Sequence, residues 1–237
     1  MLPTEKTAVK NSLAALTVLV YGQSKIGKSS FCAQAENALF LATEPGLNAL
    51  EVYQIPIASW RELLTALAEI KAGDHAYKTI ILDTVDNGYR MCSEYICAKN
   101  GVEHEADLPY GKGWALVNAE FHRVITRIAF LPCGFYMISH SQEIEVDTRT
   151  GKYTKSVPTL PDKARRLVLG MVDMILFCDL TAENGRVVRT KPDRHYEAGD
   201  RTGRLPETID LDYAAFLAAF NGVTAENNNK QQDKTDE

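Results

Sequence analysis

The run Gly22-Gln-Ser-Lys-Ile-Gly-Lys-Ser29 fits the pattern G-x-x-x-x-G-K-[ST], the spacing of a phosphate-binding loop. Glycine lets the backbone curl so that successive N–H groups point inward at phosphate oxygens. In such a loop Gly22, Gln23, Ser24, Lys25, Ile26, Gly27, Lys28, Ser29 and Ser30 surround the nucleotide. Lys28 supplies a point charge between the terminal phosphates, and the Ser29 hydroxyl is a ligand for Mg²⁺. A helix starting at Lys28 adds its positive N-terminal end to the same anion.

Two carboxylates complete the chemistry. Thr79-Ile-Ile-Leu-Asp83 is an apolar strand ending in an acid, which places Asp83 at the carboxyl edge of a sheet, where the Mg²⁺ of a phosphate-loop enzyme is held. Glu44 follows another apolar run in Leu41-Ala-Thr-Glu-Pro-Gly46. Ligands collect at the carboxyl ends of parallel strands, so Glu44 is placed to polarise a water for in-line attack. The bland alternatives are a turn carboxylate for Asp83 and a loop glutamate ahead of Pro45-Gly46 for Glu44. Asp86 is the carboxylate that competes with Asp83 for the metal, and is expected instead to cap the helix that follows.

These residues need a scaffold of strands. Leu16–Tyr21, Ala38–Ala42, Thr79–Leu82 and Phe135–Ser139 are short apolar runs of the kind buried on both faces of a parallel sheet. Helices are expected from Lys28 to about Asn37, over 60–71 with Ser59 and Glu62 as its capping pair, over 88–99, 114–130, 162–169 and 211–220. Alternating charged and apolar residues over 143–157, around a Thr-Arg-Thr-Gly-Lys turn, predict a β-hairpin. Residues 171–180 and 186–190 return to strand character. The resulting fold class is α/β: a mostly parallel sheet flanked by helices, with an antiparallel extension at one edge. Residues 1–12 read as an N-terminal arm, 13–221 as one domain, and 222–237 as a polar tail too poor in apolar residues to order.

The 237 residues are 45% apolar and 24% charged, with a formal net charge of −5, which is ordinary for a globular chain. That charge excludes a generally basic surface but not a local basic stripe. Five cysteines with no CxxC pair suggest neither a disulfide framework nor a zinc site, and point to a reducing, cytoplasmic setting. Leu13–Tyr21 behind Lys6 and Lys10 resembles a signal peptide, but no small-x-small cleavage site follows. No stretch has the length of a membrane span.

The order of these motifs resembles the RecA-like ATPase core. More narrowly it is similar to phage-encoded RecA-like ATPases of single-strand annealing and recombination, on the strength of Val20–Ser30, Tyr110-Gly-Lys-Gly113 and Ala198–Pro206. The resemblance covers about residues 14–210. It implies ATP and Mg²⁺ as ligands, Glu44 as the hydrolytic base, and a polar sensor at the end of the fourth strand. His140 holds that place, where many relatives carry glutamine. It also implies a ring or filament in which a neighbour's cation reaches the nucleotide. Lys191 and Arg194 best match that finger, with Arg201 and Arg204 nearby; the alternative is a solvated basic turn balanced by Asp193, Glu197 and Asp200.

A local positive excess lies at Arg149, Lys152, Lys155, Lys163, Arg165 and Arg166, with Tyr153 among them. Phosphate neutralisation with aromatic stacking is what single-stranded DNA binding requires, and the resemblance places a DNA-contacting loop here. An ordinary solvated hairpin is the competing reading. Tyr110, Lys112 and Trp114 form a further candidate contact. The function expected is a Mg²⁺-dependent ATPase acting on single-stranded DNA in a phage-infected bacterial cytoplasm, with a single-strand-binding protein as a possible helper. Two rivals remain: a nucleotide-gated loader with little turnover, and a phosphate-loop kinase of a small metabolite.

Overall fold

The computed structural model describes residues 2–149 and 151–222. The tail expected to lack order lies outside the described residues, save for Gly222. Ten strands form one sheet. They are β1 (Thr17–Gly22), β2 (Ala38–Ala42), β3 (Tyr53–Pro56), β4 (Thr79–Asp83), β5 (Gly134–Thr148), β6 (Gly151–Pro158), β7 (Met174–Leu180), β8 (Arg186–Arg189), β9 (Gly199–Asp200) and β10 (Thr208–Asp210). The main path runs β10-β8-β7-β1-β5-β4-β2-β3. From β7 to β3 every pair on it is parallel, while β8 and β10 add an antiparallel edge. This is the α/β architecture that the motif order predicts, with the phosphate-loop strand β1 at its centre.

The alternation of side chains explains the two layers. Along β1, Leu19 faces one core while Val18 and Val20 face the other; along β5, Phe135 and Met137 oppose Tyr136 and Ile138. Both faces are therefore apolar, as a sheet covered on two sides requires. The first face is covered by α2 (Trp60–Ala72), α3 (Val85–Asn100), α4 (Lys112–Ala129) and α5 (Asp162–Met171); the second by α1 (Lys28–Cys32) and α6 (Tyr213–Phe220). No helix among the described residues is long and apolar enough to cross a membrane. The cysteines are all free, and Cys133 alone of the five is not buried.

Helix α1 and the short strands β3, β9 and β10 differ from expectation. Helix α1 stops at Cys32 instead of continuing to Asn37. Its hydrogen bonds tighten there, with the Gln34 amide donating to Phe31 and that of Ala35 to Cys32. Asn37 then takes a left-handed φ of 43° to turn the chain into β2. Strand β3 is an unexpected edge strand. It is mostly exposed and ends in Pro56, so it carries no apolar run, and an edge is where proline is tolerated in a sheet. The 143–157 hairpin forms as expected: β5 pairs with β1 as far as Gly22↔His140, then continues past the parallel strands and pairs antiparallel with β6 from Ser141↔Pro158 onward.

Candidate functional site

The phosphate loop closes the top of β1 against β7 and β8. At Gly22 a Cβ would lie 2.4 Å from the carbonyl oxygen of Cys178, so the loop can begin here only with glycine. At Gly27 φ is 117° and a Cβ would meet the Arg186 guanidinium at 3.2 Å. Lys25 also sits in the left-handed region, at φ 64°. Helix α1 is one turn long, so the anion-facing end predicted for a longer helix reduces here to the loop's own amides.

Lys28 is only 5% exposed. Its Nζ donates to the carbonyls of Gly22 and Gln23 at 2.9 and 2.8 Å. Burial pulls the ammonium below its ordinary pKa, while Cys178, Asp83, Asp86 and Glu44 oppose that shift. The Ser29 hydroxyl donates to Asp83 Oδ2 at 2.7 Å. Burial raises the Asp83 carboxyl, with the Ser29 hydrogen bond pulling the other way and Glu44 adding to the rise. Three carboxylates thus act electrostatically on one buried ammonium. That excess of negative charge, with a hydroxyl and a carboxylate oxygen already adjacent, fits a divalent cation held by Ser29 and Asp83.

Glu44 is positioned by an interlock between the ends of β2 and β4. The Thr43 hydroxyl donates to the Thr84 carbonyl at 2.9 Å and accepts from the Thr84 amide at 2.8 Å. Glu44 Oε2 accepts from Asn87 Nδ2 at 2.9 Å, and Oε1 lies 3.5 Å from His140 Nε2. The other ring nitrogen of His140 is 3.2 Å from Ser24 Oγ in the phosphate loop. The histidine therefore bridges Ser24 and Glu44.

Asp86 is a correction. It does not cap α3; Thr84 does, its Oγ1 accepting from the Asn87 amide at 3.4 Å. Asp86 instead accepts from Ser139 Oγ at 2.9 Å and from the His140 amide at 3.1 Å, fixing the point where β5 leaves the sheet. Burial raises its carboxyl, against the pull of those two donors.

The remaining candidates lie apart from this cluster. Lys191 Nζ is 3.7 Å from Asp200 Oδ2, and the exposed Arg194 lies over the Tyr153 ring at 5.6 Å. Neither is hydrogen-bonded or ion-paired to the phosphate loop among the described residues. Arg201 and Arg204 are tied down: the first donates to the Gly170 carbonyl, the second to Asn11 Oδ1 and over the Phe220 ring. The basic stretch divides between β6 and α5. Lys152 pairs with Glu145 at 2.6 Å and Lys155 with Glu197 at 2.8 Å, while Arg165 and Arg166 share Asp162. Arg149 and Lys163 are exposed, with no acidic partner among the described residues. Tyr153 packs edge-on to His195. In the loop before α4, Tyr110 is fully exposed at a left-handed φ of 58°, and Trp114 is half-exposed.

Two residues at the site were not anticipated. Arg186 Nη1 donates to the Ile26 carbonyl of the phosphate loop at 3.4 Å, although 160 residues separate them. No local pattern marks it. Asn87 was legible only as a polar residue in the first turn of a helix, a place usually assigned to capping.

Against this geometry, comparison with known proteins gives three findings. The profile of a family described as an AAA domain matches residues 14–202. The SPbeta prophage-derived uncharacterized protein YorG of Bacillus subtilis (strain 168) is 30% identical over 145 residues, covering 58% of this chain and 44% of that protein. This chain thus spans less than half of that relative's length. Among solved structures, the KaiC-like protein PH0186 of Pyrococcus horikoshii OT3 aligns over 78% of this chain and 81% of its own at 12% identity, with a TM-score of 0.44.

Proposed function

The chain belongs to the AAA domain family, and from that premise we propose that it is a Mg²⁺-dependent ATPase of phage RecA-like type that acts on single-stranded DNA in recombination or annealing. The observation that carries the reading is the convergence of Lys28, the Ser29–Asp83 pair and Glu44 at one loop, from the ends of three strands, β1, β2 and β4. A curled glycine loop with a buried lysine recognises a polyphosphate. A glutamate after β2, the strand beside β4 and its Asp83, supplies the acceptor for a proton from attacking water. Mg²⁺, held by Ser29 and Asp83, would neutralise charge on the phosphates.

In this reading Lys28 exchanges its two carbonyl partners for phosphate oxygens, a better match for a buried ammonium. Glu44 takes the proton of the attacking water. His140, touching both the loop and Glu44, reports occupancy of the loop to β5 and the hairpin beyond it. Lys191 or Arg194 of a neighbouring copy supplies the remaining positive charge, in a ring or filament. The basic residues of 149–166 take the phosphates of single-stranded DNA, a single-strand-binding protein assists, and the chain works in the cytoplasm of a bacterial host. The prophage origin of the B. subtilis relative supports the phage assignment.

Phosphate release from magnesium-ATP, measured with and without single-stranded DNA, tests the reading. Turnover that rises with DNA is expected. Tight ATP binding without phosphate release would leave a nucleotide-gated switch in its place, and release that requires a metabolite acceptor would leave a kinase.

A further inference from the structure

Asn87 occupies the third position of α3, where a helix alone gains nothing from asparagine. Its propensity is below that of alanine or glutamate, and the capping role is already filled by Thr84. Its side chain turns away from the helix and donates to Glu44 Oε2 at 2.9 Å. A carboxylate only accepts hydrogen bonds, so the amide must present its NH₂ group there.

The hydrogen bond closes a ring. Thr43, adjacent in sequence to Glu44, exchanges two hydrogen bonds with the Thr84 backbone; Thr84 Oγ1 holds the Asn87 amide; the Asn87 side chain returns to Glu44. Both ends of the Glu44 residue, backbone and carboxylate, are thereby referred to the same helix start. His140 holds the other oxygen more loosely, at 3.5 Å, and shares itself with Ser24 of the phosphate loop.

We propose that Asn87 is the positioning residue for Glu44: it fixes Oε2 so that Oε1 stays directed at the phosphate loop. The inference rests on the reading of Glu44 as the hydrolytic base. The two tethers differ in kind. A terminal phosphate entering the loop competes for Ser24 and His140 and frees Oε1 for water. Nothing in the loop competes for Asn87, so the carboxylate keeps its aim while it acts. A reacting group displaced by about 1 Å can lose on the order of 100-fold in rate, and that is the scale expected here.

The test uses the full chain and the variants Asn87→Ala, Asn87→Asp, Glu44→Gln and the double variant Asn87→Ala/Glu44→Gln. Magnesium-ATP affinity of Asn87→Ala should stay within about threefold of the parent, while kcat falls by about 10- to 100-fold. Asn87→Asp should be at least as slow, because it sets a second negative charge against Glu44. The double variant should be no slower than Glu44→Gln alone, since the positioning residue acts only through the base. Near-parental kcat in Asn87→Ala overturns the inference. So do multiplicative losses in the double variant, or a loss of activity matched by a fall in melting temperature and in ATP affinity. A parent protein that binds ATP and releases no phosphate overturns the hydrolytic reading itself, and this inference with it, before any variant is made.

Discussion

Ser29 Oγ donates to Asp83 Oδ2 at 2.7 Å, joining two residues 54 positions apart on neighbouring faces of the same cleft. The pair links the end of β4 to the first turn of α1, and so joins the loop that would hold phosphate to the acid that would hold metal. Lys28, next to Ser29, stands buried against the opposite side of the loop. Replacing Lys28 with alanine removes the one cation enclosed by the loop. Calorimetry with magnesium-ATP should then show at least about a 30-fold weaker affinity, since a buried charge-assisted pairing contributes on the order of 2–5 kcal/mol. Unchanged heat of binding would remove the loop from the nucleotide site.

Glu44→Gln keeps the shape of the side chain and its Asn87 partner but takes away the proton acceptor. ATP should still bind, and phosphate release should fall by about 10²–10⁴-fold. A rate close to that of the parent would assign the base elsewhere, with Asp86 excluded by its existing bonds to Ser139 and His140.

The Asp83 carboxyl carries a pH signature. Burial lifts its pKa above the ordinary 3.8, so the folded chain binds that proton more tightly than the unfolded chain. Its contribution to stability is therefore fully present below the ordinary pKa and is lost as pH rises through the raised one. Above that point the bare carboxylate is costly, and a divalent cation against it removes the cost. The melting-temperature gain from magnesium-ATP should accordingly grow as pH rises above the ordinary carboxylate range, and Asp83→Asn should flatten that growth. A gain that does not change with pH in the parent would show that Asp83 does not face the metal.

The basic stretch is partly neutralised within the chain, because Lys152, Lys155, Arg165 and Arg166 have acidic partners. The exposed pairs Lys152–Glu145 and Arg166–Asp162 hold by about 1 kcal/mol or less, so phosphates of a single strand can displace them, whereas Lys155 and Arg165 are more enclosed. Replacing these four together with Arg149 and Lys163 by glutamine should weaken single-stranded DNA binding. The salt slope of the logarithmic affinity should drop by about 0.7 for each phosphate that the variant no longer neutralises. Superimposable salt curves would return the segment to a solvated hairpin.

Phe121 tests the layer under the site. It is fully buried between Trp60 and Tyr89, with ring centroids 6.4 and 5.1 Å away. Phe121→Ala should cost about 3–5 kcal/mol of stability, read as a lower denaturation midpoint with an unchanged slope. A loss below about 1 kcal/mol would mean that the layer refills the space.

Much of this was readable from residue types. The parallel strands announced themselves as apolar runs because both of their faces are covered, and the loop at Gly22–Ser29 because close backbone approach leaves glycine no substitute. Ser59 accepts from the Glu62 amide at 3.3 Å, as the capping pattern predicts. What stayed hidden depended on contacts across the sheet. The early end of α1 is imposed by the turn into β2, and strand β3 by pairing with β2. Asp86 serves β5 and not its own helix because Ser139 and the His140 amide lie beside it. Asn87 and Arg186 meet the site through distant segments, so spacing in the chain carried no sign of them.

His140 stands where β5 passes from a ladder clamped on both sides to a two-stranded arm, with no flexible joint between. The arm is braced part-way along its length, where Ser156 exchanges backbone hydrogen bonds with His195 and Glu197 and Lys155 pairs with Glu197, so the strand that carries His140 leaves the parallel ladder already anchored on its far side and keeps the imidazole against Ser24 and Glu44.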